Sequence, residues 1–433
     1  MNKALINKII TYTMIASVFI TGAGIDGSFF RFYWYYPVYV LFILLGILSF
    51  KKVERGPLLV LVSFITFALI THQSDLPLVA KQLINVSFSW TVFYFLIVHE
   101  NKDILALFHK YVRVAKVLAI LGLIQVILFL IGSGKIFLAV FPWLKDYDVS
   151  TRLQSLTQEP SYIAFTFSPI VFCALYNLFY STHYFMSRWW SVVFIVVYLL
   201  TQSTIAYLGL IVMLLLIYFR NFSYRKLQFL VFFLFSVIVI CAVAYRFMPG
   251  VRLRIDDTRR GLSGDFFRGD MYLRVNPSTY AILSNYYVTV RAFEENPILG
   301  NGFGTYEAQY DKQIPNKVRR IDRNYLLLNR QDAASMGFRL LAETGLVGIL
   351  LFLFFVWHYK CRRYTFYSSE ADMVWMLNSG IFVLIMLALL RNGNYTVHGK
   401  ILFLFLYYYS FLQWKRLMQT GSRPNTEDST TKA

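Results

Sequence analysis

Long apolar blocks recur along almost the whole chain, and they constrain the fold more than any other feature. Blocks of roughly 15 to 22 residues suit helices that cross the hydrocarbon core of a membrane. Only 15% of the 433 residues are charged, against about 25% in soluble domains. The sequence therefore predicts an all-α polytopic membrane protein with about twelve transmembrane helices. The candidate spans are residues 5–22, 34–50, 57–71, 78–98, 114–132, 160–180, 189–201, 204–219, 227–245, 343–358, 373–390 and 398–414.

The spacing of these blocks divides the chain into four parts. Residues 1–245 hold nine spans, 246–340 form one large loop between spans 9 and 10, 341–416 hold three more spans, and 417–433 form a polar tail. The composition of the tail predicts disorder in the cytoplasm. The loop is rich in Tyr, Phe, Leu and Ile, so we expect it to pack. Its apolar spacing predicts helices over 278–294 and 333–342, whereas the apolar segment 136–144 is too short to span and reads as an interfacial or re-entrant piece.

Lys and Arg cluster on alternate short connections, which predicts the orientation of the spans. Cytoplasmic loops carry the excess of these residues, so both termini are expected in the cytoplasm and the large loop on the outer side. Across 247–335, eleven Arg and two Lys face ten acidic residues, a net charge of only +3 out of +19 for the chain. The basic excess thus follows from topology and needs no nucleic acid. Acidic membrane lipids are a sufficient partner for it.

Arginine is the residue type that most suggests chemistry on the outer side. A guanidinium binds a diphosphate through paired hydrogen bonds and stays charged at any physiological pH, so a metal-free enzyme acting on a lipid diphosphate would depend on it. Any one of these arginines could instead form a surface salt bridge or contact a lipid headgroup. The candidates are Arg152 and the loop residues Arg252, Arg254, Arg259, Arg260, Arg268, Arg274 and Arg291.

Two carboxylates stand at the mouths of predicted spans. Glu159 directly precedes Pro160 and is either a helix-start residue favoured by the dipole or a general base. Glu343 heads the tenth span, and a structural role near the helix start is the simpler interpretation.

The large loop contains no histidine, and no His/Cys/Asp cluster with metal-ligand spacing occurs in the sequence. We therefore expect neither metal nor cofactor, and chemistry that runs on Arg, carboxylates and Tyr. The three cysteines fall in two predicted spans and one cytoplasmic loop, so no disulfide framework is predicted.

The stretch "ENPILGNGFGTY" places Gly300, Gly302 and Gly304 in alternation, which permits unusual dihedrals and close approach of the backbone. It is no phosphate loop, since no Lys-Ser/Thr follows. A tight turn and a ligand-shaping floor are both open. Tyr306 and Tyr310 follow and could stack on sugar rings or pack internally.

Four ordered pieces resemble the O-antigen polymerase and ligase superfamily. "ENPILGNGFGTY" resembles its "NPl-G-GfG" signature, and "LLAETGLVGILLFLF" at 340–354 resembles the stretch that opens the following span. "R-x6-EPSYIA" from Arg152 to Ala164 is similar to a stretch of polysaccharide polymerases, and "TQSTIAYLGL" at 201–210 resembles the start of a later span.

The resemblance implies a metal-independent glycosyltransferase of GT-C-like helical fold, without cofactor, on the outer face of the bacterial inner membrane. Wzy-type polymerases move a growing glycan from undecaprenyl diphosphate onto the next lipid-linked repeat unit, whereas ligases move a finished glycan to a lipid A core. Arginines hold the leaving diphosphate in both. A chain-length regulator and a flippase are the partner proteins implied. The product could be O-antigen of lipopolysaccharide, capsule or exopolysaccharide.

Two departures from the family pattern adjust this expectation. Ligases carry a His-Asn pair about nine residues before the Glu of "AETG", where this chain has Ala334 and Ser335. This favours a polymerase over a ligase. The usual arginine about fifteen residues before "NP" is also absent, which leaves Arg274 and Arg291 as substitutes.

The leading hypothesis is a polymerase in which Arg152 and Arg274 act catalytically on the diphosphate and Glu159 orients or deprotonates the acceptor. Arg291, the three glycines and Tyr306 would help to bind substrate. A transporter of lipid-linked sugars is less favoured, because the chain shows no internal repeat and its charges lie at span ends.

Overall fold

The fold was examined in a computed structural model. It describes residues 3–26, 31–49, 54–71, 76–144, 152–219, 277–314, 328–362 and 368–421, with scattered positions between 228 and 275. Within these residues the chain is mainly helical. The helices are α1 Lys3–Phe19, α2 Tyr36–Ser49, α3 Arg55–Ile70, α4 Leu76–His99, α5 Ile104–Leu130, α6 Gly134–Val140, α7 Pro160–Tyr180, α8 Arg188–Leu200, α9 Thr204–Phe219, α10 Pro277–Glu295, α11 Tyr306–Gln313, α12 Met336–His358, α13 Ser369–Leu390 and α14 Lys400–Gly421.

Five of these helices, α4, α5, α7, α12 and α13, are long and apolar enough to cross a membrane. Helices α2, α3, α8 and α9 are apolar but shorter. Eleven of the predicted spans coincide with a helix, whereas the span predicted at 227–245 lies largely outside the described residues. The chain is a polytopic helical membrane protein, and the count of twelve spans stays a prediction.

Two short strands form an antiparallel ribbon between α1 and α2, a feature the sequence analysis did not predict. Strands β1 Gly24–Asp26 and β2 Arg31–Tyr33 pair with Ile25 opposite Phe32. The short helix α6 overlaps the segment 136–144, and the interfacial or re-entrant placement of that segment stays a prediction.

Helices α7 and α13 lie at the centre of the bundle, with 83% and 72% of their most apolar windows buried. They approach closely because Gly380 of α13 packs on the backbone of Pro169 inside α7, where an added Cβ would lie 2.9 Å from Pro169 Cα. By contrast, Ile47, Leu59 and Ile70 on the peripheral helices are 63–75% exposed. Large exposed apolar side chains of this kind suit a surface that faces lipid.

The helix ends form two groups, one at each end of the bundle, as the contacts between them show. At one end of the bundle, which we call the site end, Val18 at the end of α1 packs on Gly399 before α14, and Gln82 in α4 contacts Arg339 in α12. The end of α8 joins them through the backbone bond from Leu153 to Leu200.

The opposite end holds its own polar contacts. Tyr409 donates to Glu54 at 2.6 Å, Lys102 also pairs with Glu54, and Tyr176 donates to Asp372 at 2.7 Å. The helices therefore alternate in direction through the bundle.

Candidate functional site

The site end is organised around the connection between α13 and α14, "RNGNYTVHGK" at 391–400, which we call the 391–400 connection. Its last residue, Lys400, is 3% exposed and its ammonium donates to the carbonyl of Asn392 at 2.5 Å, to the Asn392 side chain at 3.0 Å and to the carbonyl of Asn394. All three partners are neutral oxygens. Lys400 thus fixes the shape of the connection from within, through hydrogen bonds from its buried amino group.

The 391–400 connection is also tied to the segment that precedes α12. Asn392 N–H donates to the carbonyl of Ala334 at 2.8 Å. Gly393 lies so close to Asp332 that an added Cβ would fall 1.4 Å from its carbonyl oxygen. Ser335 donates its hydroxyl to the carbonyl of Leu389 at 2.6 Å. The position at which ligases have their histidine, Ala334, is therefore a packed backbone contact, 3% exposed.

A buried ion pair lies beside this contact. Arg339 Nε donates to Glu343 Oε1 at 2.9 Å, with the two side chains 5% and 0% exposed. Gln82 and the Gly393 carbonyl accept from the guanidinium at 3.3 and 3.4 Å, and its Cζ lies 4.5 Å from the centre of the Tyr395 ring. Each nitrogen of the Arg339 guanidinium thus has a protein partner, and the residue is buried, which favours a structural role for this charge.

The second carboxylate oxygen of Glu343, Oε2, accepts a hydrogen bond from the Tyr395 hydroxyl at 3.0 Å. Burial, and then the nearby Glu343, hold the pKa of Tyr395 well above its ordinary value. The hydroxyl therefore stays a donor at any physiological pH.

The glycine-rich stretch forms hydrogen bonds with the backbone groups that a break in α12 leaves unpaired. Gly345 has φ 60° and ψ −157°, which interrupts the helical hydrogen bonds. The freed N–H groups of Leu346 and Val347 donate to the carbonyls of Pro297 and Ile298 at 2.9 and 3.1 Å. In return, the freed carbonyls of Ala342 and Glu343 accept from the N–H groups of Asn301 and Gly302 at 3.0 Å each. All four backbone groups are satisfied, as a buried helix break requires.

The glycines make this exchange possible. Gly300, Gly302 and Gly304 have φ values of 72°, 101° and 82°, which L-residues with a Cβ rarely adopt. A Cβ on Gly300 would lie 2.5 Å from the Glu343 backbone, and one on Gly304 would lie 3.1 Å from the Leu78 carbonyl. All three glycines are buried. The atoms next to Gly300 belong to α12, and those next to Gly304 belong to α4.

Tyr306 is fully buried, with its hydroxyl donating to the Asn285 side chain at 2.8 Å. The expectation of a sugar-stacking ring is corrected here, because the ring has no exposed face. Burial raises its pKa well above the ordinary value. Tyr310, 2% exposed, packs in the same cluster.

The loop arginines divide by location. Arg291 lies on the surface of α10, pairs with Glu294 at 3.0 Å and carries a side chain that is 53% exposed. Its Cζ is 5.6 Å from the Tyr287 ring. Arg274 lies outside the described residues.

Arg152 is presented from a turn held by α5. The side-chain oxygen of Gln125 accepts from the N–H groups of Gln154 and Ser155 at 3.1 and 2.8 Å, and Leu153 bonds to the end of α8. Arg152 is partly exposed, and its Nε donates weakly to the Thr201 carbonyl at 3.4 Å. Among the described residues its terminal nitrogens meet no carboxylate, whereas Arg339 is paired with Glu343.

Glu159 is the residue before the first turn of α7. Its carboxylate accepts from the Ser161 hydroxyl at 3.1 Å and is partly exposed, while Pro160 occupies the first helical position. Both Arg152 and Glu159 thus belong to the site end, on the connection that enters the central helix.

His398 was missed as a functional candidate. The sequence analysis confined outer chemistry to Arg, carboxylates and Tyr because the large loop has no histidine. The structure brings one in from the 391–400 connection: its ring lies 4.2 Å from that of Tyr162 in the first turn of α7. The signal available in the sequence was a connection rich in Asn, Gly, Tyr, His and Lys between two strongly apolar spans.

Within the described residues no group of three His, Cys, Asp or Glu side chains could hold a metal ion. The buried polar groups at the site end are instead the Arg339–Glu343 ion pair and the Lys400 side chain, which is bound to amide and carbonyl oxygens.

A helical bundle with five helices long and apolar enough to cross a membrane is that of an integral membrane protein, and its 391–400 connection is surrounded by buried polar residues. Residues 189–353 match the family model described as O-antigen ligase. The match confirms, over this segment, the resemblance to the O-antigen polymerase and ligase superfamily. It runs from α8 into α12 and includes the glycine stretch, Arg339 and Glu343, whereas Arg152, Glu159 and His398 lie outside it. The family indicates a ligase- or polymerase-like enzyme acting on a lipid-linked oligosaccharide. None of the curated proteins compared with the chain matches it.

Proposed function

We propose that this protein is a polysaccharide polymerase that transfers a growing glycan from undecaprenyl diphosphate to the next lipid-linked repeat unit, on the outer side of the inner membrane. The observation that carries the proposal is the Arg152 guanidinium, which is partly exposed and has no carboxylate partner among the described residues. It lies on a turn held by Gln125, seven residues before Glu159 at the start of α7.

The reaction forms a bond between the acceptor hydroxyl oxygen and the anomeric carbon of the growing glycan. The bond from that carbon to the diphosphate oxygen breaks, and the electron pair leaves with the lipid diphosphate. Arg152 stabilises this developing charge, which a preorganised cation does more effectively than water because it needs no reorganisation. Arg274 and Arg291 are the further cations proposed for the diphosphate, and Glu159 orients the acceptor hydroxyl.

Two observations support polymerase over ligase. Position 334, where ligases carry a histidine, is an alanine buried against the 391–400 connection. The connection entering α7 carries the Arg152-to-Ala164 stretch that resembles polysaccharide polymerases. The description of the matching family keeps ligase as the second candidate.

A gel of surface glycans from a strain lacking the gene, beside its parent, tests the function. We expect the ladder to collapse to a single repeat unit. An intact ladder stranded on the lipid carrier would identify a ligase, and an unchanged surface ladder would contradict both.

Replacing Arg152 by Ala in the complemented strain should abolish long chains while the protein level stays normal, because only the cation facing the diphosphate is removed. Arg113→Ala is the matched control, since Arg113 is exposed and donates to Tyr12 at 3.2 Å away from the site end. Wild-type chain lengths in Arg152→Ala would remove Arg152 from the site.

A further inference from the structure

His398 combines two unfavourable features that a core-filling residue would avoid. Its side chain is 2% exposed, and its buried Nδ1 has no hydrogen-bond partner among the residues that the structure describes. A buried polar atom left unpaired carries the full penalty of losing water. Leucine or phenylalanine would fill the same space without that penalty.

The backbone that holds His398 is also strained. His398 and Gly399 have φ values of 61° and 66°, so two successive residues adopt the left-handed conformation. For a residue with a Cβ this conformation is unfavourable. Gly399 cannot be replaced easily, because an added Cβ would lie 2.7 Å from Val18. Strain of this kind persists where the surrounding structure fixes it, and it concentrates at functional sites.

With His398 and Gly399 in the left-handed conformation, the imidazole lies against the start of α7. The ring lies 4.2 Å from Tyr162 and 6.4 Å from Phe165, on the first two turns of the helix that Glu159 precedes. Tyr162 is partly exposed, and so is Val397, the residue directly before His398. The imidazole therefore packs against the first turns of α7, next to residues that are partly exposed.

We propose that His398 receives the proton of the acceptor sugar hydroxyl, in a subsite formed by the first turn of α7 and the 391–400 connection. This inference rests on the proposed function. Glu159 orients the hydroxyl and the hydroxyl oxygen bonds to the anomeric carbon. Its proton passes to an imidazole nitrogen while the lipid diphosphate departs, and the imidazolium then returns the proton to solvent. Lys400, whose ammonium is bound to the carbonyls of Asn392 and Asn394, holds the connection that carries His398 and is a positioning residue.

The test uses the full chain in nanodiscs with lipid-linked repeat units extracted from a strain lacking this gene. His398→Leu should remove nearly all chain extension while the thermal unfolding midpoint stays equal to or above that of the wild type, because the unpaired nitrogen is gone. His398→Gln, which keeps a polar group but cannot accept the proton in the same way, should lower kcat by roughly 100-fold or more with little change in KM. His99→Leu is the control, since His99 lies at the end of α4 against Phe42 at the opposite end of the bundle.

Full extension by a folded His398→Leu or His398→Gln variant would overturn the proposal. A fall in the unfolding midpoint of both variants that accounts for the lost activity would assign His398 a structural role and would overturn it too. Failure of the proposed function is distinguishable, since the wild-type protein itself would then not extend the lipid-linked units.

Discussion

Two arginines at the site end illustrate how burial separates a structural charge from an available one. Arg339 is bound by Glu343, Gln82 and the Gly393 carbonyl, and it lies against Tyr395. Arg152 donates a long bond to the Thr201 carbonyl and meets no carboxylate among the described residues. Burying an ion pair carries a large desolvation penalty. The attraction between the two charges offsets this penalty only when their remaining polar atoms are also hydrogen-bonded.

Glu343→Gln should therefore destabilise the protein strongly, by about 3–5 kcal/mol, because a buried guanidinium is left without its counter-charge. The double variant Arg339→Met with Glu343→Leu should recover at least half of this loss, since no buried charge remains unpaired. Thermal unfolding midpoints in nanodiscs measure both effects. Equal destabilisation by the single and double variants would show that the pair contributes through packing alone.

The sequence analysis placed Glu343 at the head of a span with a structural role, and it could not identify the partners. Gln82 lies 257 residues from Arg339 in the chain, and Tyr395 lies 52 residues from Glu343. No local pattern encodes contacts of such separation. Arg152 and Glu159 were easier to single out, because a charged residue beside an apolar span is conspicuous within a short window.

At the scale of elements, the break in α12 explains the glycine-rich stretch. A helix interrupted at Gly345 exposes four backbone groups, and residues 297–302 supply four matching partners. The two predicted pieces, 333–342 and 343–358, meet within a few residues of this break. Their junction could be anticipated from apolar spacing, whereas the backbone exchange with residues some 45 positions earlier could not, because backbone hydrogen bonds leave little trace in residue type.

Gly300→Ala should prevent accumulation of folded protein, because the new Cβ would meet the Glu343 backbone and the Gly345 nitrogen at 2.5 Å and the residue keeps φ 72°. Gly132→Ala isolates the dihedral effect, since Gly132 has φ 76° with no atom within 4 Å of its Cβ position. That control should cost only about 1–2 kcal/mol. Yield after size-exclusion chromatography and unfolding midpoints compare them, and equal yields would contradict the backbone exchange.

At the scale of the whole molecule, the sorting of helix ends agrees with the alternation of Lys and Arg in the connections. At the site end lie the 391–400 connection, the starts of α4, α7 and α12, and the ends of α1 and α8. The opposite end collects Glu54, Lys102 and Asp372 with their partners. Apolar periodicity predicted most helices, since that signal is local, whereas the orientation inferred from charge stays a prediction. Which helices become central was not predictable from composition, because the central α7 is less apolar than α5 and α12 and is distinguished by its packing.

Both termini should lie in the cytoplasm, with the site end facing outward. Single cysteines at Ile298, 65% exposed near the site end, and at Glu370, exposed at the opposite end, test this arrangement. A membrane-impermeant maleimide should label Ile298→Cys in spheroplasts and Glu370→Cys only after permeabilisation, because helices of alternating direction place the two on different sides. The parent chain measures background from its own cysteines, of which Cys173 and Cys361 are buried. Labelling of both positions from the same side would break the alternation, and with it the placement of Arg152, Glu159 and His398 on the face where lipid-linked glycan is proposed to arrive.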